Sequence, residues 1–346
     1  MMTVSNDADL NGRDTQSALT LSHHRDAMVF REPFRISGYL FESMPAVIAT
    51  ISDGELAGRG EAAGVYYLDD DSDHMEREIE RCRDAIEAGI SRQALRMLCP
   101  PGGARNALDC ALWELESLRA RVPVWKLAGV APPEPRITTF TLPAEDPGTL
   151  LERLASLPVL KAIKLKLEGD LAADTDRVRT IRKARPHVWL GVDANQGYDG
   201  DDLDGLVTML VDEKVALLEQ PVRRGAEALL DGWKSPIPVA ADESVQDLAE
   251  LDAQRHRFQV MNIKLDKCGG LTEALMMADH ARRLGLKVMV GNMAGATLST
   301  APAFVLAQTC DIVDLDGPWF LSDDPLAAQL YTDGSIMVPT RFWGAA

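Results

Sequence analysis

Several classes of protein are excluded by what the sequence lacks. Its five cysteines are an odd number, widely spaced and without a Cys-x-x-Cys pair, so neither a disulfide framework nor a thiolate zinc site is indicated. No apolar run reaches the ~20 residues of a membrane span, and the polar first 25 residues contain no apolar signal core. Acidic residues outnumber basic ones, and the net charge is −17. This charge argues against nucleic acids and anionic membranes as partners, because both are negatively charged. We therefore expect a cytoplasmic protein with reduced thiols.

The composition that remains is that of a folded chain with about two domains. The sequence has 346 residues, of which 46% are hydrophobic, and this is enough for a sizeable core. A proline-rich stretch at 132–135 is typical of a linker. We predict four segments: a disordered tail over 1–25, an α+β domain over 26–131, a barrel over 132–319, and a C-terminal segment over 320–346 that returns to the first domain.

The first domain is predicted to contain strands followed by helices. Residues 27–64 alternate in the manner of β-strands, and Asp53-Gly54 is typical of a hairpin turn. A helical period runs over about 73–98, with a glycine closing EREIERCRDAIEAG, and a second helix covers about 104–120. This order of elements is typical of an α+β unit.

Beyond the linker, short apolar strands recur at regular intervals. Each is followed by a segment long enough for a crossover helix, which predicts a parallel (β/α) barrel whose reactive groups lie at the C-terminal strand ends. The predicted strands are 138–141, 162–167, 189–193, 216–219, 239–241, 260–265, 287–290 and 312–315.

Three of these strands end in a carboxylate. Asp193 follows WLGV, Glu219 follows VALL and Asp242 follows PVAA. In a barrel the three strand ends converge, and carboxylates gathered there would repel one another unless a hard divalent cation neutralised them. Oxygen ligands without histidine or cysteine favour Mg²⁺ over zinc. The alternative for each residue alone is that it caps the following helix.

Lysines occupy two other strands. In AIKLKL, Lys164 and Lys166 share one face of the strand, although the opposite register would turn both lysines outward. Lys264 lies in VMNIKLDKCGG, with Asn262 and Asp266 on the same face. Lys166 and Lys264 fall on the second and sixth predicted strands, which lie on opposite sides of an eight-stranded barrel.

This placement suggests a proton transfer next to a carboxylate. Removing such a proton creates an enediolate, whose charge a divalent cation stabilises. A lysine can act as the base only when it is neutral, and positive charge from Lys164 and the metal would favour neutral Lys166. A lysine on each face of the enediolate would remove the proton from one side and return it on the other, giving the epimer.

A further acidic pair follows the eighth strand. Asp314 and Asp316 share one face, and they exceed what a three-ligand metal site needs. They could bind a substrate ammonium through charge-assisted hydrogen bonds, or they could belong to a solvated loop.

Taken in order, these motifs resemble the enolase superfamily, and specifically its muconate-lactonizing-enzyme subgroup. The resemblance covers about residues 27–346. The matching motifs are Lys164-Leu165-Lys166, Asp193-Ala194-Asn195, Glu219-Gln220-Pro221, Asp242-Glu243-Ser244, and Lys264 ahead of Gly269-Gly270.

The resemblance implies a fold, a reaction and roles for residues. The fold is a modified (β/α)₇β barrel with an α+β capping domain, in which the first strand and last helix can be irregular. The D-x-D of Asp314 and Asp316 resembles the dipeptide epimerase signature that binds the substrate's amino terminus. The resemblance implies Mg²⁺ on Asp193, Glu219 and Asp242, Lys166 and Lys264 as the acid/base pair, and a homo-oligomer.

Specificity for the second residue of the dipeptide is expected to differ from that of Ala-Glu epimerases. In those enzymes, the resemblance implies, a loop after the first capping strand carries an arginine for the glutamate side chain. The corresponding stretch here, residues 37–43, contains no arginine and places Phe41 near that position. We expect a small or apolar second residue, with Phe41, Met293 and Lys164 also in the substrate site.

Three alternatives stay open at this point. The first is cycloisomerisation or an o-succinylbenzoate-synthase-like elimination in the same fold, which would leave Asp314 and Asp316 unexplained. The second is a Schiff-base lyase that uses Lys166 or Lys264 as its nucleophile. The third is a binding protein without catalytic activity, although no motif of the set is broken.

Overall fold

A computed structural model of the chain describes residues 18–36, 39–157 and 159–346. The first part is an antiparallel sheet in the order β1-β2-β3, with helices packed against it. Its strands are β1 (Thr20–Ile36), β2 (Tyr39–Ser52) and β3 (Ala57–Ala62), and its helices are α1 (Ser72–Glu87), α2 (Arg92–Leu98), α3 (Gly103–Ala120) and α4 (Val124–Leu127). The turn between β2 and β3 contains Asp53 and Gly54, as the sequence predicts.

Helix α3 packs directly on strand β3 because that strand carries two glycines. A Cβ at Gly58 would lie 2.1 Å from the backbone oxygen of Ala111, and one at Gly60 would lie 2.1 Å from that of Ala107. Only glycine permits this approach of strand and helix. The contact buries the apolar face of the sheet and gives this domain its own core.

Two predictions for the first domain need correction. Residues 20–25, assigned to a disordered tail, form the beginning of β1, while residues 1–17 lie outside the described part. The helix predicted over 73–98 is two helices, because Gly89 adopts a φ of 83° and Ser91 caps a new helix by accepting the Ala94 N–H. We propose that the capping domain begins with β1 and not at residue 26.

The second part is an eight-stranded parallel sheet that curls into a barrel. It is entered through the short strand β4 (Arg136–Ile137). The barrel strands are β5 (Thr139–Leu142), β6 (Ala162–Lys166), β7 (Trp189–Asp193), β8 (Leu217–Glu219), β9 (Val239–Ala241), β10 (Val260–Lys264), β11 (Lys287–Gly291) and β12 (Ile312–Asp314). All eight predicted strands are confirmed within one or two residues at each end.

Closure of the barrel between β12 and β5 uses side chains. The Leu315 N–H donates to Thr138 Oγ1 at 2.9 Å, and Asp316 Oδ2 accepts the Thr141 N–H at 2.6 Å. The surrounding helices are α5 (Pro147–Ser156), α6 (Leu171–Ala184), α7 (Leu203–Asp212), α8 (Leu248–Gln254), α9 (Leu265–Cys268), α10 (Leu271–Arg283), α11 (Thr297–Ala307) and α12 (Ala327–Leu330). The segments directly after β8 and β12 form 3₁₀ turns instead of crossover helices.

The end of the chain returns to the first domain. Strand β13 (Tyr331–Thr332) pairs with β14 (Ser335–Ile336), β14 pairs with β4, and the last residues then reach α3. The Trp343 indole donates to the Arg59 carbonyl at 3.1 Å, and the Ala345 N–H donates to Ser117 Oγ at 2.9 Å. No helix in the described ranges is both long and apolar enough to span a membrane.

The Gly269-Gly270 motif docks the barrel against α3. Gly270 has a φ of 109°, and a Cβ there would lie 2.5 Å from Asp109 Oδ2. That carboxylate caps α10, since it accepts the Thr272 N–H at 2.9 Å and the Thr272 hydroxyl at 2.6 Å. The glycine therefore allows a buried carboxylate of the capping domain to reach a barrel helix.

Candidate active site

Six of the charged side chains predicted to act together line one cavity at the C-terminal ends of the barrel strands, and Asp193 and Glu219 lie buried beside Asp242. The cavity is concave and partly open to solvent, as small-molecule sites are. From the barrel it is lined by Thr141, Lys164, Lys166, Asn195, Asp242, Glu243, Lys264, Asn292, Met293, Asp314 and Asp316. From the capping domain it is lined by Phe30, Phe41, Met44, Tyr66 and Tyr67.

Three buried carboxylates form a candidate metal centre. Ligand oxygens of Asp193, Glu219 and Asp242 lie within 4.8 Å of one another. Burial opposes ionisation of Asp193, but Lys164 and Lys166 outweigh it and hold its pKa at about 2. Burial and Asp193 raise the pKa of Glu219 to about 8, the expected result of crowding a third carboxylate into the group. A divalent cation would relieve this repulsion.

Unsatisfied oxygens around the triad fit a hydrated cation. Glu243 Oε2 and Asn195 Oδ1 are buried and accept no hydrogen bond within the described residues. Glu219 Oε2 likewise lacks a well-oriented donor there, although Lys164 Nζ lies 2.9 Å away. Leaving such acceptors unpaired costs about 1–3 kcal/mol each. An all-oxygen ligand set with acceptors for metal-bound water suits Mg²⁺.

Both lysines of β6 point into the barrel, which decides the register left open by the sequence. Lys164 is 4% exposed and Lys166 is 7% exposed. Lys164 Nζ contacts Asp193 at 3.0 Å, Glu219 at 2.9 Å and Asp314 at 2.9 Å. Burial lowers the pKa of Lys164, but these carboxylates outweigh burial and raise it. Lys166 Nζ contacts Asp193 Oδ2 at 2.7 Å.

Lys264 faces the cavity from the other side. It lies on β10, four strands from β6 in the eight-strand order, and its Nζ donates to Asp242 Oδ2 at 2.6 Å. Each of the two predicted acid/base lysines is thus next to a different carboxylate of the triad. Burial lowers the pKa of Lys264, but Asp242 and Glu219 together outweigh burial and the pKa is raised.

Asp314 and Asp316 both line the cavity near β5. Asp314 accepts hydrogen bonds from Lys164 at 2.9 Å and from the Thr139 hydroxyl. Burial, followed by repulsion from Asp314, raises the pKa of Asp316 to about 7. A cationic group placed between them would favour the ionised form of Asp316.

Aromatic and apolar side chains cover the site. Phe41 packs edge-on against Tyr66 with ring centroids 5.4 Å apart, and Met293 is 8% exposed. Among the described residues that line the cavity, the cationic ones are Lys164, Lys166 and Lys264, and none is an arginine. In the stretch 37–43, which contains no arginine, residues 37 and 38 lie outside the described part of the chain.

One residue predicted to share the face of Lys264 lies elsewhere. Asp266 accepts the N–H groups of Ala63 at 3.1 Å and Gly64 at 3.3 Å, in the segment that leads to Tyr66. The predicted alternation ends because β10 stops at Lys264 and Leu265 begins helix α9. Asp266 therefore joins the barrel to the capping domain.

Other residues of the site were missed or left without a role. Lys267 Nζ donates to Asp242 Oδ1 at 2.6 Å, and Asn262 Nδ2 donates to Glu219 at 2.7 Å. Lys267 lies in the short helix α9 that directly follows β10, so the strand alternation that applies to Lys264 does not extend to it. Tyr67 comes from a short 3₁₀ segment of the capping domain that carries no motif. Nothing in the sequence pattern places it at the barrel mouth.

A family model and related proteins match the chain. Residues 149–342 match the family described as Enolase C-terminal domain-like. The chain is 33% identical over 319 residues to the L-Ala-D/L-Glu epimerase of Escherichia coli (strain K12), which covers 92% of this chain and 99% of the relative. It is 34% identical over 304 residues to an N-acetyl-D-glutamate racemase of a Pseudoalteromonas species, covering 87% and 95%. It is 30% identical over 336 residues to a hydrophobic dipeptide epimerase of a Flavobacteria bacterium (strain MS024-2A), covering 93% and 96%.

Solved structures share the fold over nearly the whole chain. An enolase family member from Agrobacterium tumefaciens, with homology to dipeptide epimerases and with bound sodium and L-Ala-L-Glu, has a TM-score of 0.89 at 34% identity. It covers 94% of this chain and 100% of the other. A dipeptide epimerase from Methylococcus capsulatus, complexed with Mg and L-Arg-D-Lys, has a TM-score of 0.83 at 26% identity, covering 93% and 97%.

Proposed function

The chain belongs to the enolase superfamily, and from this premise we propose that it is a Mg²⁺-dependent dipeptide epimerase. It would invert the α-carbon of the dipeptide's C-terminal residue by moving a proton from one face to the other. The observation that carries this proposal is the placement of Lys166 and Lys264 on opposite strands of one cavity, beside a carboxylate triad.

The two lysines would divide the proton transfer between them. For one direction, a neutral amine on Lys166 or Lys264 removes the α-proton and the protonated amine of the other returns a proton to the opposite face. The roles exchange in the reverse direction. Both side chains are more than nine-tenths buried, so each amine has little contact with bulk solvent outside the cavity.

Asp193, Glu219 and Asp242 would hold the metal ion. When bound, Mg²⁺ supplies positive charge to the substrate carboxylate, where the enediolate charge develops. Lys164, which lies within 3.0 Å of Asp193 and 2.9 Å of Glu219, adds a fixed positive charge on the same side of the cavity. Mg in the structure of the Methylococcus capsulatus relative supports this assignment.

Asp314 and Asp316 would bind the ammonium group of the dipeptide. Their carboxylates face the cavity from β12 and the turn that follows it, and Lys164 Nζ contacts both Asp314 and the metal ligands Asp193 and Glu219. An elimination or cycloisomerisation substrate has no ammonium, so that rival reaction gives the cavity-facing carboxylates of Asp314 and Asp316 no substrate group to bind. This is why we favour epimerisation.

We propose that the second residue of the substrate is small or apolar. Phe41 and Met293 offer apolar surface, and the described lining lacks an arginine that could bind a glutamate side chain. Relatives that act on Ala-Glu and on hydrophobic dipeptides are comparably similar to this chain, so the lining residues must decide between them.

A dipeptide library tests the proposal. The purified protein with Mg²⁺ in D₂O should incorporate deuterium at the α-carbon of the second residue, most rapidly in dipeptides that end in alanine or another apolar residue. The variant Lys161→Ala serves as a control for loss of a lysine outside the cavity, because Lys161 is a surface lysine near β6 that pairs with Asp333 at 2.6 Å. It should exchange at the wild-type rate. Strong preference for acidic second residues would refute the specificity, and absence of exchange with every dipeptide would refute the function.

A further inference from the structure

A second cavity lies beside the active site and has no role in the chemistry described above. It lies between capping strand β1, the end of β5, the end of α5 and the turn after β12. Thr141 and Phe320 line both cavities. None of the metal ligands or lysines of the active site lines it within the described residues.

The shared residue Thr141 connects this cavity to the ammonium site. Its N–H donates to Asp316 Oδ2 at 2.6 Å, so the strand that supports the ammonium-binding carboxylate also forms a wall of the second cavity. In a dipeptide, the α-carbon of the first residue is one bond from the ammonium nitrogen. A side chain that leaves this α-carbon on the β5 side is directed across Thr141 and Phe320.

The cavity has apolar walls and a charged rim. Leu142, Pro143 and Leu157 contribute apolar surface, and the Arg31 guanidinium lies 5.6 Å from the ring centroid of Trp319. These walls suit the stem or ring of a long side chain.

Two of the rim charges, Arg153 and Glu32, are paired with each other. Arg153 forms ion pairs with Glu32 at 2.5 Å and with Glu145, while Arg31 Nε donates to the Leu321 carbonyl at 2.8 Å. Glu32 and Glu145 therefore satisfy Arg153, and Arg31 adds a guanidinium at the rim that contacts a carbonyl and the Trp319 ring. A polar group at the end of a long side chain could remain solvated there.

From this geometry we propose that the second cavity is the subsite for the first residue of the dipeptide and takes long or aromatic side chains. The inference rests on the proposed function, because it places the substrate ammonium at Asp316. It adds the substrate class: dipeptides with a first residue such as methionine, phenylalanine or lysine, ahead of those with glycine or alanine.

The test compares Ala-Ala, Met-Ala, Phe-Ala and Lys-Ala as substrates of the full chain with Mg²⁺, followed by α-proton exchange in D₂O. The variant Ser156→Trp places an indole at the cavity wall from the exposed end of α5. It should lower kcat/KM about tenfold or more for the long first residues and change it less than about twofold for Ala-Ala. Ser156→Leu should give a smaller loss in the same order.

The control is Glu152→Trp, which adds the same side chain to an exposed position of α5 that does not line the cavity. It should leave every substrate unchanged, and melting curves should show all variants folded. Exchange with Ala-Ala as fast as with the long series, or an equal effect of Ser156→Trp on all four, would overturn the subsite while leaving the epimerase proposal intact. Absence of exchange with all dipeptides would overturn both.

Discussion

Asp316 offers a way to distinguish a dipeptide epimerase from a racemase of N-acylated amino acids, since relatives of both kinds match this chain. The substitution Asp316→Asn keeps the shape of the side chain and still allows its oxygen to accept the Thr141 N–H. It removes the negative charge that would bind the substrate ammonium. A substrate with an acylated nitrogen has no such charge and should respond much less.

The size of the effect follows from the contact that is lost. A hydrogen bond to a charged group contributes about 1.5–3 kcal/mol. At about 1.36 kcal/mol per factor of ten, kcat/KM for dipeptides should fall roughly 10- to 150-fold. Turnover of an N-acetyl amino acid, if any, should change little. The assay is α-proton exchange in D₂O measured with both substrates over a range of concentrations.

The pH profile supplies a second readout of the same residue. Burial and Asp314 raise the pKa of Asp316 to about 7, and only the ionised form attracts an ammonium group. In the wild-type protein, kcat/KM for dipeptides should therefore rise as the pH increases through about 7, and it should be lower at more acidic pH, where Asp316 is protonated. Asp316→Asn should lose this rise, because its side chain does not titrate.

Asp323→Asn is the matched control, since Asp323 is an exposed aspartate a few residues further along the same segment. It should leave both the rate and the pH profile unchanged. If Asp316→Asn retained full dipeptide turnover, or reduced dipeptide and N-acetyl turnover by the same factor, the ammonium-binding role of Asp316 would be wrong.

Three further predictions follow from the site and its support. Lys166→Ala and Lys264→Ala should each lower the rate of epimerisation by about 10²-fold or more. Each variant should still exchange the α-proton of one epimer, and the two variants should exchange opposite epimers. Exchange of both epimers by either variant would contradict the two-base arrangement. Removing divalent ions with EDTA should stop turnover reversibly, and Mg²⁺ at about 100 times its Kd should stabilise the fold by about 2.7 kcal/mol in thermal melts, whereas unchanged melting would argue against the metal centre. Gly270→Ala should destabilise the protein by on the order of 3 kcal/mol because its Cβ would lie 2.5 Å from Asp109 Oδ2 at a φ of 109°; Gly285→Ala, at a φ of 77° with no atom within 4 Å, should cost only about 1 kcal/mol.

The barrel and most of the site could be predicted because the sequence couples them. Apolar runs that end in Asp193 and Glu219 indicate both a strand and its reactive end, and their order fixes their positions around the barrel. The inward register of Lys164 and Lys166 could not be settled by alternation, because β6 is buried on both faces and both sets of side chains are enclosed. The surrounding carboxylates decide it.

What the sequence could not supply are contacts between distant segments. The break between α1 and α2 depends on the left-handed backbone conformation of Gly89, but a glycine can also adopt a helical conformation, so the sequence alone does not require a break there. The start of β1 at Thr20 depends on pairing with Ser52, which a polar local sequence does not indicate. Tyr67 reaches the cavity only because the capping domain folds onto the barrel mouth.

The attachment of Asp266 to the capping domain has an evolutionary consequence. The side chain accepts hydrogen bonds from the main chain at residues 63 and 64, and so the attachment does not depend on which side chains the following aromatic residues carry. Mutations in that segment can reshape which molecules are admitted while Lys264, two residues before the anchor, keeps its place. Selectivity and reactivity can therefore drift independently, and a designer could exchange this segment between homologues without rebuilding the proton-transfer machinery.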